Sequence, residues 1–411
     1  MAERSRSVSW QEWSGDRPQP RWPTDVGTWS RRLVERAAPA EPPVLRLGGV
    51  RLPSLGRARL YVCGITPYDT THVGHAATFA WADLAARVLG LGGIDVEVCR
   101  NITDVDDDLL AQARARSVSW RALAAEQTYR FERDMSELGV VQPTYEPRSF
   151  DHVEDVIRLA VELLAAGAAY ERHGNVYFRG GAVHARVGLE RAEALELARA
   201  RGGEPDDPDK DDPLDAVLWR HAVDDEPAWS SPWGPGRPGW HAECTAMAVA
   251  TFGASVDVHA GGAELAFPHH AYQAAQAEAF TRVTPFSRAR LHVGSVMFGG
   301  HKMAKSAGNL VFVDDLLERF GAGPLRLLLL CRRWHEEWEF SEAELDRSAG
   351  RLDELAAASR RPTRTASAAA EVVRALVDDL DVPKALEVAG EAGGEPLAEL
   401  MGFLGLTQPI A

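Results

Sequence analysis

Apolar positions along the chain follow two spacings. "RLYVCG" at 59–64 is a short, nearly continuous apolar run, as expected of a strand buried on both faces. After a polar loop, "GHAATFAWADLAARVLGLGG" places Phe79, Leu84 and Val88 at near-helical spacing and closes on glycines that suit a helix C-terminus. "DVEVCRNIT" then returns as a second strand. Strand, helix and strand in so short a span predict a parallel βαβ unit with a right-handed crossover.

From residue 105 to about 200 the pattern is mostly helical, with "WRALAAEQTYRFERDMSELG" and "VEDVIRLAVELLAAG" each ending at glycine and "NVYFR" reading as a small strand. "RGGEPDDPDKDDP" is a polar loop. Beyond it "GWHAECTAMAVATFG" predicts a helix, "SVDVHAGG" a strand and "PHHAYQAAQAEAF" a helix, the second half of one α/β sheet. The last 70 or so residues are helical and carry no motif, while residues 1–57, rich in Trp, Pro and Arg, lack a sustained period and read as an N-terminal arm.

The 411 residues, 45% hydrophobic and 26% charged, fit a globular protein of two or three units. The longest apolar run, "LRLLLL", is far too short to span a membrane, and the N-terminus has no apolar signal core, which together predict a cytoplasmic protein. A net charge of -15 argues against general attraction to nucleic acid. Four widely spaced cysteines suit a reducing compartment and direct attention to metal or thiol chemistry. Among 45 basic residues only Lys210, Lys302, Lys305 and Lys384 are lysines, so two of four falling in "HKMAKS" mark a site that wants a compact ammonium.

No G-x-x-x-x-G-K-[ST] loop is present. "THVGHA" at 71–76 lies instead at a strand-to-helix turn, where free backbone N–H groups favour an anion and Gly74 lets a ligand approach. His72 and His75 there can oppose charge building on a phosphate, although such histidines alone can equally cap and pack. "FGGHKMAKSAGN" has the glycine flanks of a mobile loop whose lysines can follow a polyphosphate. For Cys63 the candidate companions are Cys244 and the pair His269 and His270; two thiolates and one imidazole leave a tetrahedral metal one open position, and a pair of buried cysteines is the alternative. Cys99 and Cys331 read as core residues.

"HVGH" with "KMAKS" resembles the HIGH and KMSKS pair of class I aminoacyl-tRNA synthetases, and "YVCG", "NITDVDD", "SPWGPGRPGWHAEC" and "FPHH" resemble their cysteine-specific branch from about residue 58 to 345. That branch contains cysteinyl-tRNA synthetases and the mycothiol-pathway ligases that join cysteine to the amine of glucosaminyl-inositol. "GITPYDTTHVGHA", "ARGGEP", "PLDAVLW" and "WEF" are similar to the ligases, and the short C-terminal region leaves little room for an anticodon-binding domain. The resemblance implies a class I synthetase α/β fold: a Rossmann-like parallel sheet at 58–330, a mainly helical insertion at about 105–215 and a helical C-terminal region at 331–411. It also implies ATP with Mg2+, zinc on Cys63, Cys244 and His269, and phosphate handling by His72, His75, Lys302 and Lys305. Cys63, Gly64, Ile65, Thr66, Thr78, Asn101, Ile102, Thr103, Trp240, Gly262, Ala263, Glu264 and Val296 match positions that hold the cysteinyl adenylate.

The expected reaction is activation of L-cysteine as an adenylate and transfer to glucosaminyl-inositol by a monomer, without tRNA. Charging of tRNA, or transfer to another amine, are the alternatives. Three departures stand out: Ala263 and Glu264 replace a serine and an aspartate, Ala304 replaces the middle serine of KMSKS, and Gln273 takes the place of a zinc-ligating glutamate of the tRNA synthetase.

Overall fold

The computed structural model describes residues 24–53, 56–69, 71–223, 226–303, 308–365 and 367–407, without the side chains of 24–26. Ala304, Lys305 and residues 1–23 of the N-terminal stretch lie outside them.

The three apolar runs read as strands pair, with the unexpected edge strand Ser287–Val293, into a four-stranded parallel sheet in the order Ser287–Val293, Val256–Gly262, Arg57–Ile65, Asp95–Ile102. The three apolar strands are largely buried because helices cover the sheet, which is why they lack a polar alternate face, whereas the edge strand Ser287–Val293 alternates exposed Arg288 and Arg290 with buried Ala289 and Leu291. The helix Val73–Gly90 crosses between the strands Arg57–Ile65 and Asp95–Ile102, and its burial from Val73 to Leu89 explains its weak amphipathic pattern. The helix His269–Thr281 makes the equivalent crossing between Val256–Gly262 and Ser287–Val293. The two crossovers therefore run outward from the central pair, Arg57–Ile65 and Val256–Gly262, and the crevice at their C-terminal ends is where an open α/β sheet binds its ligand.

The stretch between the two halves holds the expected helices, including Trp120–Glu137 and Val153–Ala165, together with a four-stranded antiparallel sheet. That sheet runs Ala169–Arg172, Asn175–Phe178, Ala216–His221, Gly236–Pro238, so it continues beyond residue 215. Its first hairpin turns on His173 and Gly174, both at positive φ, the conformation a two-residue hairpin requires. Leu159, Leu163, Val176, Leu218 and Trp219 form a second core that also takes in Ala242 and Ala246 of the helix Trp240–Phe252 and Ala271 and Tyr272 of the helix His269–Thr281.

The region without a sustained period is partly regular: Thr24–Ala37 is a helix that buries Leu33 and packs on the last helix, Gly394–Leu404. Trp29 lies so close to Gly402 that a Cβ there would meet its ring at 2.4 Å, and Arg36 binds Glu399 at 2.9–3.0 Å. The C-terminal helices are tied to the sheet by a buried network in which Asp83 of the helix Val73–Gly90 accepts from Arg87 at 2.9 Å and from Arg326 of the helix Ala322–Leu330. "LRLLLL" is thus a buried helix containing one fully buried arginine. Among the described residues no helix is long and apolar enough to cross a membrane.

Candidate active site

The strand Arg57–Ile65 delivers the first groups. Its register to the Asp95–Ile102 strand shifts between Val62 and Ile65, an irregularity that places Cys63 and Gly64 at the crevice. Gly64 is required: a Cβ would stand 1.7 Å from the Asn101 carbonyl oxygen. Asn101 accepts from the Gly64 N–H at 3.1 Å and donates its amide to the Cys244 sulfur at 3.2 Å, joining the two strands to the helix Trp240–Phe252. Thr66 and Thr103 share a 2.8 Å hydroxyl hydrogen bond, and the Thr103 N–H donates to the Ile65 carbonyl. The residues expected to surround an adenylate at this edge, Cys63 to Thr66 and Asn101 to Thr103, therefore form one connected surface.

Cys63, Cys244 and His269 are brought together, all buried, with their ligand atoms within 4.8 Å of one another. A second group meeting the same criterion contains Cys63, His259 and His270. Gln273, one turn beyond His269, points its amide at the Cys63 sulfur, 3.2 Å away, and also donates to His269 Nε2, which leaves His269 Nδ1 to donate to His241 Nδ1 at 2.8 Å. Trp240 stacks on the His269 ring with 3.9 Å between centroids. Burial and neighbouring imidazoles lower the pKa values of His241 and His270, and His292 is pushed down to about 4 by the same causes, so these rings are neutral at pH 7. Burial opposes ionisation of both thiols, but the hydrogen bond from Cys244 and the imidazoles of His270, His269 and His259 hold the Cys63 thiol well below its usual range. Cys244 is correspondingly pushed up by burial and by Cys63. Thiols this close, with neutral imidazoles around them, form a donor set fitted to a soft divalent cation, which would remove the second proton. Cys99 by contrast is buried in the strand, raised by burial, and belongs to neither group.

The phosphate-side groups open from the same edge. His72 is the N-cap of the helix Val73–Gly90 and accepts from the Gly74 N–H at 3.1 Å, and its ring stacks on His75 with 3.9 Å between centroids. Thr78 lies one turn on, its hydroxyl donating to the Gly74 carbonyl at 3.2 Å. The Val73 N–H donates to Val311 and the Val313 N–H to Thr71, so the "HVGH" turn is laced to the segment just after "KMAKS". Gly299 and Gly300, both at positive φ, turn a hairpin between Val296–Phe298 and His301–Lys302. Asn309 donates to the Lys302 carbonyl at 3.2 Å, and the Met303 N–H to Val296 at 2.9 Å, closing the base of this loop. Lys302 Nζ lies 3.4 Å from the Glu264 carboxylate. Glu264 follows Gly262 and Ala263 in a tight turn at the end of the Val256–Gly262 strand, where a Cβ on Gly262 would meet its carboxylate at 2.5 Å.

His241, His259 and Asn309 were absent from the residues singled out in the sequence. His259 was the legible one, a polar residue in the middle of an apolar strand.

A parallel sheet with its crevice at the switch point, a histidine-bearing helix N-terminus and a lysine hairpin laced to it define a class I synthetase-type catalytic domain. Residues 52–350 match the family described as tRNA synthetases class I (C) catalytic domain. The fold resembles methionyl-tRNA synthetase of Mycobacterium tuberculosis in complex with methionyl-adenylate, with a TM-score of 0.61 at 19% identity over 84% of this chain and 82% of that one. The L-cysteine:1D-myo-inositol 2-amino-2-deoxy-alpha-D-glucopyranoside ligase of Acidothermus cellulolyticus is 45% identical over 341 residues, 81% of this chain and 84% of that protein. That of Gordonia bronchialis is 44% identical over 80% of this chain and 82% of its own length. The chain belongs to this family of cysteine ligases, built on the class I synthetase catalytic domain.

Proposed function

We propose that this chain activates L-cysteine with ATP as cysteinyl adenylate and transfers the cysteinyl group to the amine of glucosaminyl-inositol, forming an amide and releasing AMP. The observation that carries the reading is the buried Cys63, Cys244 and His269 group, gathered at the strand end of the turn whose helix end carries His72 and His75. One end of that turn suits a thiol and the other a phosphate. The relatives named for this reaction support the choice of acceptor.

Cys63, Cys244 and His269 would hold zinc, which would supply a soft position that takes a thiolate in preference to the hydroxyl of serine. Trp240, Thr66 and Asn101 border that end and fix the amino acid in one orientation. A cysteine carboxylate oxygen attacks the α-phosphorus of magnesium-bound ATP, and the bond to pyrophosphate breaks. His72, His75 and the helix N-terminus oppose the charge that accumulates. Lys302 leaves Glu264 for the departing pyrophosphate, joined by Lys305, and Glu264 is released to accept from ribose hydroxyls. The acceptor nitrogen then attacks the activated carbonyl, with AMP as leaving group. The reading places the enzyme in the cytoplasm as a monomer, with small molecules rather than tRNA as its substrates.

Incubation with ATP, labelled cysteine and either glucosaminyl-inositol or total tRNA tests it. Label is expected in a small amide product with stoichiometric AMP; acid-precipitable label that depends on tRNA would overturn the reading.

A further inference from the structure

A cleft of about 760 Å³ of empty space, part of it open to solvent, lies between the antiparallel sheet of the insertion and the catalytic crevice. Its walls include Arg201, Gly202 and Gly203 of "ARGGEP" and Pro213 to Val217 of "PLDAVLW", two segments that favour the amide-forming branch over tRNA charging. Lys210 holds the first segment in place by donating to the carbonyls of Gly203 and Glu204. The cleft borders the thiol end of the site directly, because Trp240 and His241 line it and also contact His269.

Most of its charges are already committed. Asp215 accepts from Gly180, Tyr170 and Asp212; Arg237 pairs with Asp107 and Glu226; Arg220 pairs with Glu204. Asp106 differs. Its Oδ1 caps the helix Asp107–Ala115 by accepting from Asp108 and Leu109, while its Oδ2 has no hydrogen-bond partner among the described residues. We infer that this cleft is the acceptor subsite, that it takes an amino sugar or aminocyclitol, and that Asp106 receives the proton its ammonium must lose. The inference rests on the proposed ligase reading.

The transfer step balances with these groups. The ammonium gives a proton to Asp106, the freed nitrogen lone pair forms the C–N bond, and the carbonyl-to-phosphate C–O bond breaks with its electron pair leaving on AMP. Burial, with the adjacent Asp108 and Asp107 carboxylates, raises Asp106 to about 7, near the value at which a base works best at neutral pH. Glu243 of the helix Trp240–Phe252 also interacts electrostatically with Asp106, and Arg237 is paired with its own partners.

Asp106→Asn keeps a good helix cap and removes the base. The expected result is cysteine-dependent exchange of pyrophosphate into ATP at the wild-type rate, amide formation with glucosaminyl-inositol down about 10²-fold or more, and wild-type transfer to hydroxylamine, a nucleophile already unprotonated at neutral pH. Amide formation at the wild-type rate, or exchange falling in step with it, would overturn the subsite while leaving the ligase reading intact. Wild-type protein that makes no amide at all would overturn both.

Discussion

Cys63 touches the Gln273 amide and faces the imidazoles of His259, His269 and His270, so a small polar replacement tests metal binding apart from folding. Cys63→Ser is expected to purify folded, with circular dichroism unchanged, yet without zinc and without discrimination of cysteine from serine. Lys302→Ala should keep its zinc and slow pyrophosphate exchange about 10²-fold, the scale lost when one preorganised charge-stabilising group is removed; equal zinc loss in both variants would point to misfolding. Gln273 makes a second test. Its amide already reaches Cys63 and His269, so Gln273→Glu places an anionic oxygen beside the donors and is expected to slow zinc loss to a chelator. The cysteines and His269 could be nominated from the sequence because sulfur and imidazole stand out in apolar surroundings. Their grouping could not, since the helix Trp240–Phe252 and the helix His269–Thr281 meet the Cys63 strand only through tertiary packing.

Three strands of the parallel sheet were readable as elements because burial on both faces leaves an apolar run that survives in the sequence, whereas the edge strand Ser287–Val293, with Arg288 and Arg290 exposed, shows no such run. The antiparallel sheet was less so: Asn175–Phe178 was visible, but the short strands Ala169–Arg172 and Gly236–Pro238 are held by pairing with it rather than by a long apolar pattern of their own. The helix Thr24–Ala37 was hidden for a related reason, since its apolar face is completed by the last helix of the chain. Two element-scale predictions follow from close contacts. Gly64→Ala forces a Cβ onto the Asn101 carbonyl and should destabilise the fold by about 1–3 kcal/mol, measured by denaturant unfolding. Asp83→Asn leaves Arg87 and Arg326 buried without their shared carboxylate, an expected loss of about 3–5 kcal/mol. Burial alone would raise the Asp83 pKa, but the two guanidiniums hold it below the ordinary carboxylate value. In acid the unfolded chain therefore takes up this proton first, so the stabilisation is present above the ordinary carboxylate range and is lost as pH falls through and below it. Asp83→Asn should flatten that part of the stability-against-pH curve.

At the scale of the molecule, the N-terminal helix, the C-terminal helices and the sheet are joined through the Asp83 network and the packing of Trp29 on Gly402, while the insertion shares a second core with the helices Trp240–Phe252 and His269–Thr281. The buried donor group lies between the parallel sheet and those two helices. The activation chemistry was legible early because its motifs sit on one turn and one hairpin, both fixed by local backbone requirements. The acceptor was harder to read, because the cleft beside Trp240 is assembled from helix ends, loops and the strands Ala216–His221 and Gly236–Pro238, far apart in sequence. The central claim is that activated cysteine passes to an amine rather than to tRNA. The most direct measurement is the fate of labelled cysteine with ATP when glucosaminyl-inositol and tRNA are supplied together. The account predicts label in the glucosaminyl-inositol amide, one AMP per amide and none on tRNA; label on tRNA with no amide formed would contradict it.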